Sequence, residues 1–475
     1  MHARRIGWLT LLVTSLVFIQ VGNTGRSRAQ QAKPNILFLL ADDLGYADVG
    51  FTGGTEIKTP EIDELAASGT RLTQFYVQPV CTPTRAALMT GRYPMRYGLQ
   101  IAVIRPTSQF GLSLDERMLP HALREAGYVT AIDGKWHLGH FNRAYVPTQR
   151  GFDRQYGEYN GAIDYFTHIR DGELDWHRND ELVEEEGYTT HLFAREAVQF
   201  LREHDGRRPF FLYVAFNAPH QPLQVPDEYK VPYANLPEGD ERRTYAGMVA
   251  AMDEAIGQIV DALDEKGLRE NTLIVFSSDN GGVNPGVISS NGPLRGQKSQ
   301  LYEGGIRVPA FATWKGHLQP GTVVDAPLHM TDWYPTLLTL AGASLNQPLP
   351  VDGRDAWPTI AEGKASPREE ILLNSTPYHG AIRIGDWKLI LNGSVRVNAG
   401  EFGRGGGPPS VVNEVELFNL ATDPYETTNL AESNPRKVRE LRERYDALAA
   451  QAVPALAEQS RPRRRDVRGA EPGGR

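Results

Sequence analysis

Asn35-Ile36-Leu37-Phe38-Leu39-Leu40 runs without a polar break into Asp42-Asp43. An apolar run of this length without alternation reads as a strand covered on both faces. Three other stretches share the pattern. Tyr128-Val129-Thr130-Ala131-Ile132 runs into Asp133-Gly134-Lys135-Trp136-His137. Phe210-Phe211-Leu212-Tyr213-Val214-Ala215-Phe216 runs into Asn217 and His220, and Thr272-Leu273-Ile274-Val275-Phe276 into Asp279-Asn280-Gly281-Gly282. Helical patterns lie between them. Thr59-Pro60 opens one that Gly69 closes, and Leu114 to Ala126 is closed by Gly127. Tyr245 to Leu263 places Met248, Met252, Ile256, Ile259 and Leu263 at helical spacing before Gly267. Strand–helix alternation predicts an α/β fold, a large and mostly parallel sheet between helices. Ligands of such sheets bind at the carboxyl ends of the strands, so the four polar clusters are expected to meet.

A chain of 475 residues is too long for one ordinary core. Composition changes between Val351 and Pro367. Beyond it, Glu370 to Asn374, Ala381 to Leu391 and Glu414 to Asn419 read as short antiparallel strands, punctuated by Asn392-Gly393 and the Gly-rich Gly400 to Gly407. Asn434-Pro435 opens a helix whose Val438, Leu441, Tyr445, Leu448 and Ala452 form a stripe able to pack on this sheet. At the other end, Arg4 and Arg5 precede the apolar Leu9 to Val21, too short to span a bilayer, with a cleavage site at Ser27-Arg28-Ala29. The expected organisation is a signal peptide over 1–29, a catalytic domain over 33–365, a smaller sheet-and-helix domain over 366–455 and a disordered tail over 456–475. That predicts an exported protein, periplasmic or secreted, without stable membrane insertion. The net charge of −8 argues against a nucleic-acid partner but leaves room for a locally basic site.

The chain has one cysteine, so an exported form holds no internal disulfide. It lies in Cys81-Thr82-Pro83-Thr84-Arg85, where Thr82 to Thr90 reads as a helix start with Thr82 as cap and Gly91 as stop. Cys81 could be a small buried hydrophobe, a thiolate favoured by the helix start, or a modified residue. Arg85, four residues on, can share its face. Asp42, Asp43, Asp279 and Asn280 supply only oxygen donors, which suits a hard cation, Ca²⁺ first and Mg²⁺ second. Each acidic pair alone is also a common helix cap or turn. Lys135, His137, His220 and Lys298 add cationic groups.

Cys-x-Pro-x-Arg followed by Ala86-Ala87-Leu88-Met89-Thr90-Gly91-Arg92 resembles the signature of the type I sulfatases. So do Ala41-Asp42-Asp43-Leu44-Gly45, Gly134-Lys135-Trp136-His137-Leu138-Gly139, Ala218-Pro219-His220, Ser278-Asp279-Asn280-Gly281-Gly282 and Leu294-Arg295-Gly296-Gln297-Lys298 with Glu303-Gly304-Gly305-Ile306-Arg307-Val308-Pro309. The resemblance implies an alkaline-phosphatase-like fold and sulfate-ester hydrolysis. It implies that a maturation enzyme oxidises Cys81 to formylglycine, whose hydrate attacks sulfur. It places Ca²⁺ on Asp42, Asp43, Asp279, Asn280 and residue 81. It further implies that Arg85 stabilises the modified residue, that Lys135 and Lys298 hold sulfate, that His220 protonates the leaving alcohol and that His137 deprotonates residue 81.

Gly151-Phe152-Asp153, Gly157, Asp164-Tyr165-Phe166-Thr167-His168, Thr331-Asp332-Trp333-Tyr334-Pro335-Thr336-Leu337, Asp352-Gly353, Ala381-Ile382-Arg383 and Trp387-Lys388-Leu389 are similar to the arylsulfatase B branch, which includes N-acetylgalactosamine-4-sulfatases. The implied substrate is a sulfated carbohydrate, a glycosaminoglycan or algal-type glycan, or an aryl sulfate. The disulfide cysteines of animal members are missing, which points to a bacterial exported enzyme. Two alternatives stay open: a phosphate- or phosphonate-ester hydrolase of the same superfamily, and an inactive sulfated-glycan-binding protein. Loops at Asp164 to His177 and Gly400 to Pro409 are expected to set specificity, so that changing Tyr165 or His168 alters substrate preference more than turnover of a small aryl sulfate.

Overall fold

The Asn35–Ala41 strand lies inside a ten-stranded sheet in the computed structural model, which describes residues 33–100, 103–236, 239–375, 379–393 and 414–459. Its two neighbours, Thr272–Ser278 and Phe210–Ala215, are parallel to it. Val129–Gly134 and Arg154–Gly157 continue the parallel run. Antiparallel pairings occur only further out, from Thr272–Ser278 to Ala310–Thr313 and from Arg154–Gly157 to His177–Arg178. This is the mostly parallel arrangement that the apolar runs predict.

Successive side chains of a strand point to opposite faces, and both faces here are covered. Ile36, Phe38 and Leu40 enter one core with Ala86, Leu88 and Met89 of the Cys81–Thr90 helix and with Leu119 and Leu123. Leu37, Leu39 and Ala41 enter the other with Met248, Met252, Ile256 and Ile259 of the Gly239–Glu265 helix. A fully buried Leu or Phe contributes about 1.5–3 kcal/mol, so this strand has no register to slip into without loss.

Three expectations change. The helix read over Leu114 to Ala126 is only Leu119–Glu125, because Pro120 sits in its first turn and cannot lie deeper in a helix. The helix read from Tyr245 begins earlier, at Gly239. The stretch Ala381 to Leu391 is a hairpin, not one strand: Gly385 takes φ 56° and Ile384 pairs with Trp387. Its strands, Gly380–Ile384 and Trp387–Leu391, lie between Glu370–Ser375 and Val415–Asn419.

One face of this four-stranded sheet carries the Pro435–Ala449 helix, with Leu441, Tyr445 and Leu448 on Leu372, Ile382, Leu389 and Leu417. The other packs Ile371, Leu373, Ala381, Ile390 and Phe418 on Tyr76, Leu301, Tyr302 and Ile306. The expected signal peptide and the Gly400 to Pro409 loop lie outside the described residues, as does the expected tail beyond Gln459; its first residues, Leu456–Gln459, form a helix instead, with Leu456 packed on the core. Among the described residues no helix is long and apolar enough to cross a membrane.

Candidate active site

Strand register brings the polar clusters level. Leu40 pairs with Ala215, and Ala41 with Ser278. Past the strand ends, the Asp42 amide donates to the Ala218 carbonyl at 3.0 Å, that of Asp279 to Ala41 at 3.1 Å and that of Lys135 to Ala215 at 2.8 Å. Asp42, Asp43, Cys81 and His220 therefore offer atoms that all lie within 4.8 Å of one another.

The Cys81–Thr90 helix delivers two of the central groups from its first turn. Cys81 Sγ donates to Asp42 Oδ1 at 3.5 Å. Arg85 Nε and Nη2 reach Asp279 Oδ2 at 3.0 and 2.9 Å, Nη2 lies 3.4 Å from Asp42 Oδ2, and Nη1 donates to the Lys135 carbonyl at 3.1 Å. Thr82 is not the cap the sequence predicts; Val80 holds that position. The Thr82 hydroxyl accepts from the Ile104 amide and donates to the His137 carbonyl, tying two distant loops to the helix. Thr84 instead bonds both the amide and the carbonyl of Gln78.

Each carboxylate has its own cation. Lys135 Nζ donates to Asp42, and Lys298 Nζ lies 2.9 and 3.0 Å from the two oxygens of Asp43. Burial alone would push both acids up; Lys135, His220 and Arg85 hold Asp42 below the ordinary range, and Lys298 and His220 do so for Asp43. Burial and the neighbouring Asp42 charge push Asp279 up against Arg85. Burial, with the charges of Asp279 and Asp42, pushes the Cys81 thiol well above the ordinary range. A neutral thiol is a poor nucleophile, so burial and the two carboxylates weigh against the thiolate reading.

The two histidines are asymmetric. A carbonyl can only accept, so His137 Nε2–H donates to Ile104 at 2.9 Å, and its buried Nδ1 meets no donor among the described residues. Burial and the charges of Lys135 and Arg85 hold this imidazole neutral. His220 Nδ1–H donates to the Gln221 carbonyl at 2.5 Å and turns Nε2 toward Asp43 at 3.6 Å. Asp43 and His137 both take left-handed backbone angles, φ 65° and 59°, strain that clusters at functional sites.

The donor set fits a hard cation. Asn280 Nδ2 donates to Asp43 Oδ1 at 2.7 Å and to the Gly281 carbonyl at 3.0 Å, which leaves Oδ1 a buried acceptor without a donor among the described residues. A cation satisfies such an oxygen, as it does the acids beside it.

Residues 34–343 match the family model described as Sulfatase. The chain belongs to the sulfatase family. It is 38% identical to arylsulfatase J of Mus musculus over 90% of this chain and 77% of that protein. It is 35% identical to arylsulfatase A of Bos taurus, over 85% of each. The crystal structure of Ps i-CgsB in complex with k-i-k-neocarrahexaose superposes with a TM-score of 0.80 at 35% identity, covering 89% of this chain and 94% of that one. The fold is thus the alkaline-phosphatase-like one, and this sulfatase is a sulfuric ester hydrolase.

At these strand ends the structure gathers Asp42, Asp43, Cys81, Arg85, Lys135, His220, Asp279, Asn280 and Lys298, with His137 tied beside them through Thr82. Asp133, on a predicted polar cluster, points elsewhere: burial and Glu196 push its carboxyl up, with Arg154 and Arg178 opposing. Neither Tyr165 nor His168 is exposed. Tyr165 is buried, and its hydroxyl donates to the carbonyls of Asn217 and His220 at 2.6 and 2.8 Å. His168 is buried in a stack on Trp176.

Sequence reasoning missed Glu158, which is fully buried with no partner for either oxygen among the described residues. Burial and Asp175 push its carboxyl to about 8, against Lys135 and Arg85. The available signal was an acid directly after strand Arg154–Gly157, at the same sheet end as the other clusters.

Proposed function

We propose that this sulfatase removes sulfate from a sulfated sugar through a formylglycine made from Cys81 and a divalent cation, Ca²⁺ or, as the alternative, Mg²⁺. The observation that carries the reading is the meeting of Cys81 with Asp42, Asp43 and His220 inside a ring of lysines and arginine. Oxidation of Cys81 by a maturation enzyme supplies, on hydration, two hydroxyls on one carbon, one to attack sulfur and one whose deprotonation lets sulfate leave. Asp42, Asp43, Asp279 and Asn280, with residue 81, would hold the divalent cation, which would supply Lewis-acid polarisation of sulfate oxygens and favour the ionised hydroxyl.

The chain's own residues have separable tasks. Lys135 and Lys298 hold the sulfate oxygens by charge. Arg85 keeps residue 81 and Asp279 in register. His220 gives a proton from Nε2 to the departing alcohol. His137, neutral and with Nδ1 uncommitted, takes the proton from the second hydroxyl. The sugar assignment draws on arylsulfatase and N-acetylgalactosamine-6-sulfatase relatives and on the carrageenan-oligosaccharide complex of Ps i-CgsB. We further propose export to a periplasmic or extracellular space, from the basic and apolar N-terminal stretch.

The test uses protein from the native host or co-produced with a formylglycine-generating enzyme. We expect the peptide with residue 81 to carry the aldehyde, and sulfate to be released from sulfated sugars. Chelation should abolish that release and Ca²⁺ restore it. Full activity in Cys81→Ala, or faster turnover of phosphate than of sulfate esters, would overturn the proposal.

A further inference from the structure

Lys298 stands on a segment, residues 294–306, that the four-stranded sheet grips from behind. Lys388, fully buried, bonds Glu303 Oε1 at 2.9 Å and Glu426 Oε1 at 2.7 Å. Glu303 Oε2 accepts from the Tyr76 hydroxyl, and Glu426 Oε2 accepts from the Glu303 amide, both at 2.7 Å. Every oxygen of two buried carboxylates thus has a partner. Arg295 donates to Glu416 Oε1 and to the Glu426 carbonyl, and lies 3.9 Å over the Tyr302 ring. The Tyr302 hydroxyl donates to Glu416 Oε2 at 2.6 Å.

Glu303 is linked to the site through backbone. The Gly304 amide donates to the Arg295 carbonyl at 2.6 Å, and the Gly281 amide, next to Asn280, donates to Gly305 at 3.0 Å. The Lys298 amide donates to Gly282 at 3.2 Å, and that of Ser299 to Pro79, two residues before Cys81, at 2.8 Å. The packing has no slack: a Cβ on Gly281 would fall 1.9 Å from the Gly304 oxygen, and one on Gly305 2.5 Å from the Gln297 oxygen. Ser299 takes φ 72°, a strained angle for a residue with a side chain, which the surroundings must enforce. A displaced Glu303 therefore displaces the backbone that aims Lys298.

We propose that the Glu303–Lys388–Glu426 clamp is a positioning device that holds Lys298 against Asp43, so that residues of the C-terminal sheet set the rate of sulfate transfer through Lys298. This rests on the sulfatase reading above.

The test is a double-mutant cycle crossing Glu426→Ala with Lys298→Ala, read as kcat/KM on a fluorogenic aryl sulfate and as Tm. Alone, Glu426→Ala should lower kcat/KM about tenfold or more. On the Lys298→Ala background it should cost less than about twofold, while its Tm loss stays the same. Glu426→Gln, which keeps an acceptor for the Glu303 amide, should recover most of the activity. Equal fold losses in both backgrounds, or unchanged kcat/KM in Glu426→Ala, would overturn the inference. If Glu426→Ala does not fold, Tyr302→Phe takes its place in the cycle, with a loss of about threefold expected only when Lys298 is present. Wild-type enzyme carrying the aldehyde but releasing no sulfate would bring down the underlying reading and this inference with it. Active wild-type enzyme with additive losses would bring down the inference alone.

Discussion

Two buried ionic clusters in this protein both pair carboxylates with lysine and differ in how fully their polar atoms are met. In the clamp, Glu303, Lys388 and Glu426 are fully buried and every carboxylate oxygen is met by a donor. At the strand ends, Asp42, Asp43, Asp279, Arg85, Lys135 and Lys298 are also buried, yet Asn280 Oδ1, His137 Nδ1 and both Glu158 oxygens lack partners among the described residues. A closed network of buried charge holds parts together. A network with unspent donors and acceptors at one point is a binding site, because only a ligand repays their desolvation. Between these two clusters, unsatisfied atoms, more than burial or charge, mark the one placed to bind a ligand; single such atoms also occur elsewhere, as at Asp133 Oδ2 and Trp333 Nε1.

The sharpest test removes the same group from each cluster. Lys388→Met removes the cation two buried carboxylates share, leaving Glu303 with Arg307 at 3.6 Å but Glu426 with none, and should lower the unfolding free energy by about 3–5 kcal/mol, measured by denaturant titration. Lys135→Met should cost less stability, since Asp42 keeps Arg85 at 3.4 Å and the Cys81 thiol. It should instead lower kcat/KM on an aryl sulfate by about 10²–10³-fold. The reverse pattern would break the comparison.

A second test concerns pH. The Glu158 carboxyl is raised to about 8. A raised acid contributes stability fully below its unfolded pKa, about 4.3, and loses it as pH climbs through the folded value. Glu158→Gln does not titrate. Relative to wild type it should therefore gain stability between pH 5 and pH 8, by about 3 kcal/mol at pH 7. A difference that stays flat across that range would mean Glu158 is ionised and paired.

The smallest effect belongs to Tyr165→Phe. It leaves the His220 carbonyl without its 2.8 Å donor, at a cost of about 1 kcal/mol. Turnover of aryl and sugar sulfates should fall by the same factor. A loss confined to the sugar would restore Tyr165 as a specificity residue.

The parallel core was legible because continuous apolar runs such as Asn35 to Leu40 have one explanation, burial on both faces. The acidic pairs were legible because each directly follows such a run. Tyr165 and His168 misled because an aromatic or imidazole in a loop reads as exposed, and burial is not local information. Glu158 was passed over because one acid after a strand is unremarkable until its surroundings are known.

From the order of its residues alone, this chain determined which segments are strands, where polar groups end them and which side chains could carry an anion's chemistry. Tertiary structure decided that Thr82 ties loops instead of capping, that His137 keeps Nδ1 uncommitted, and that a lysine from the small sheet braces the segment aiming Lys298. Periodicity and propensity act over neighbouring residues, whereas the partner of a buried charge is chosen by whatever the fold brings within about 3 Å of it.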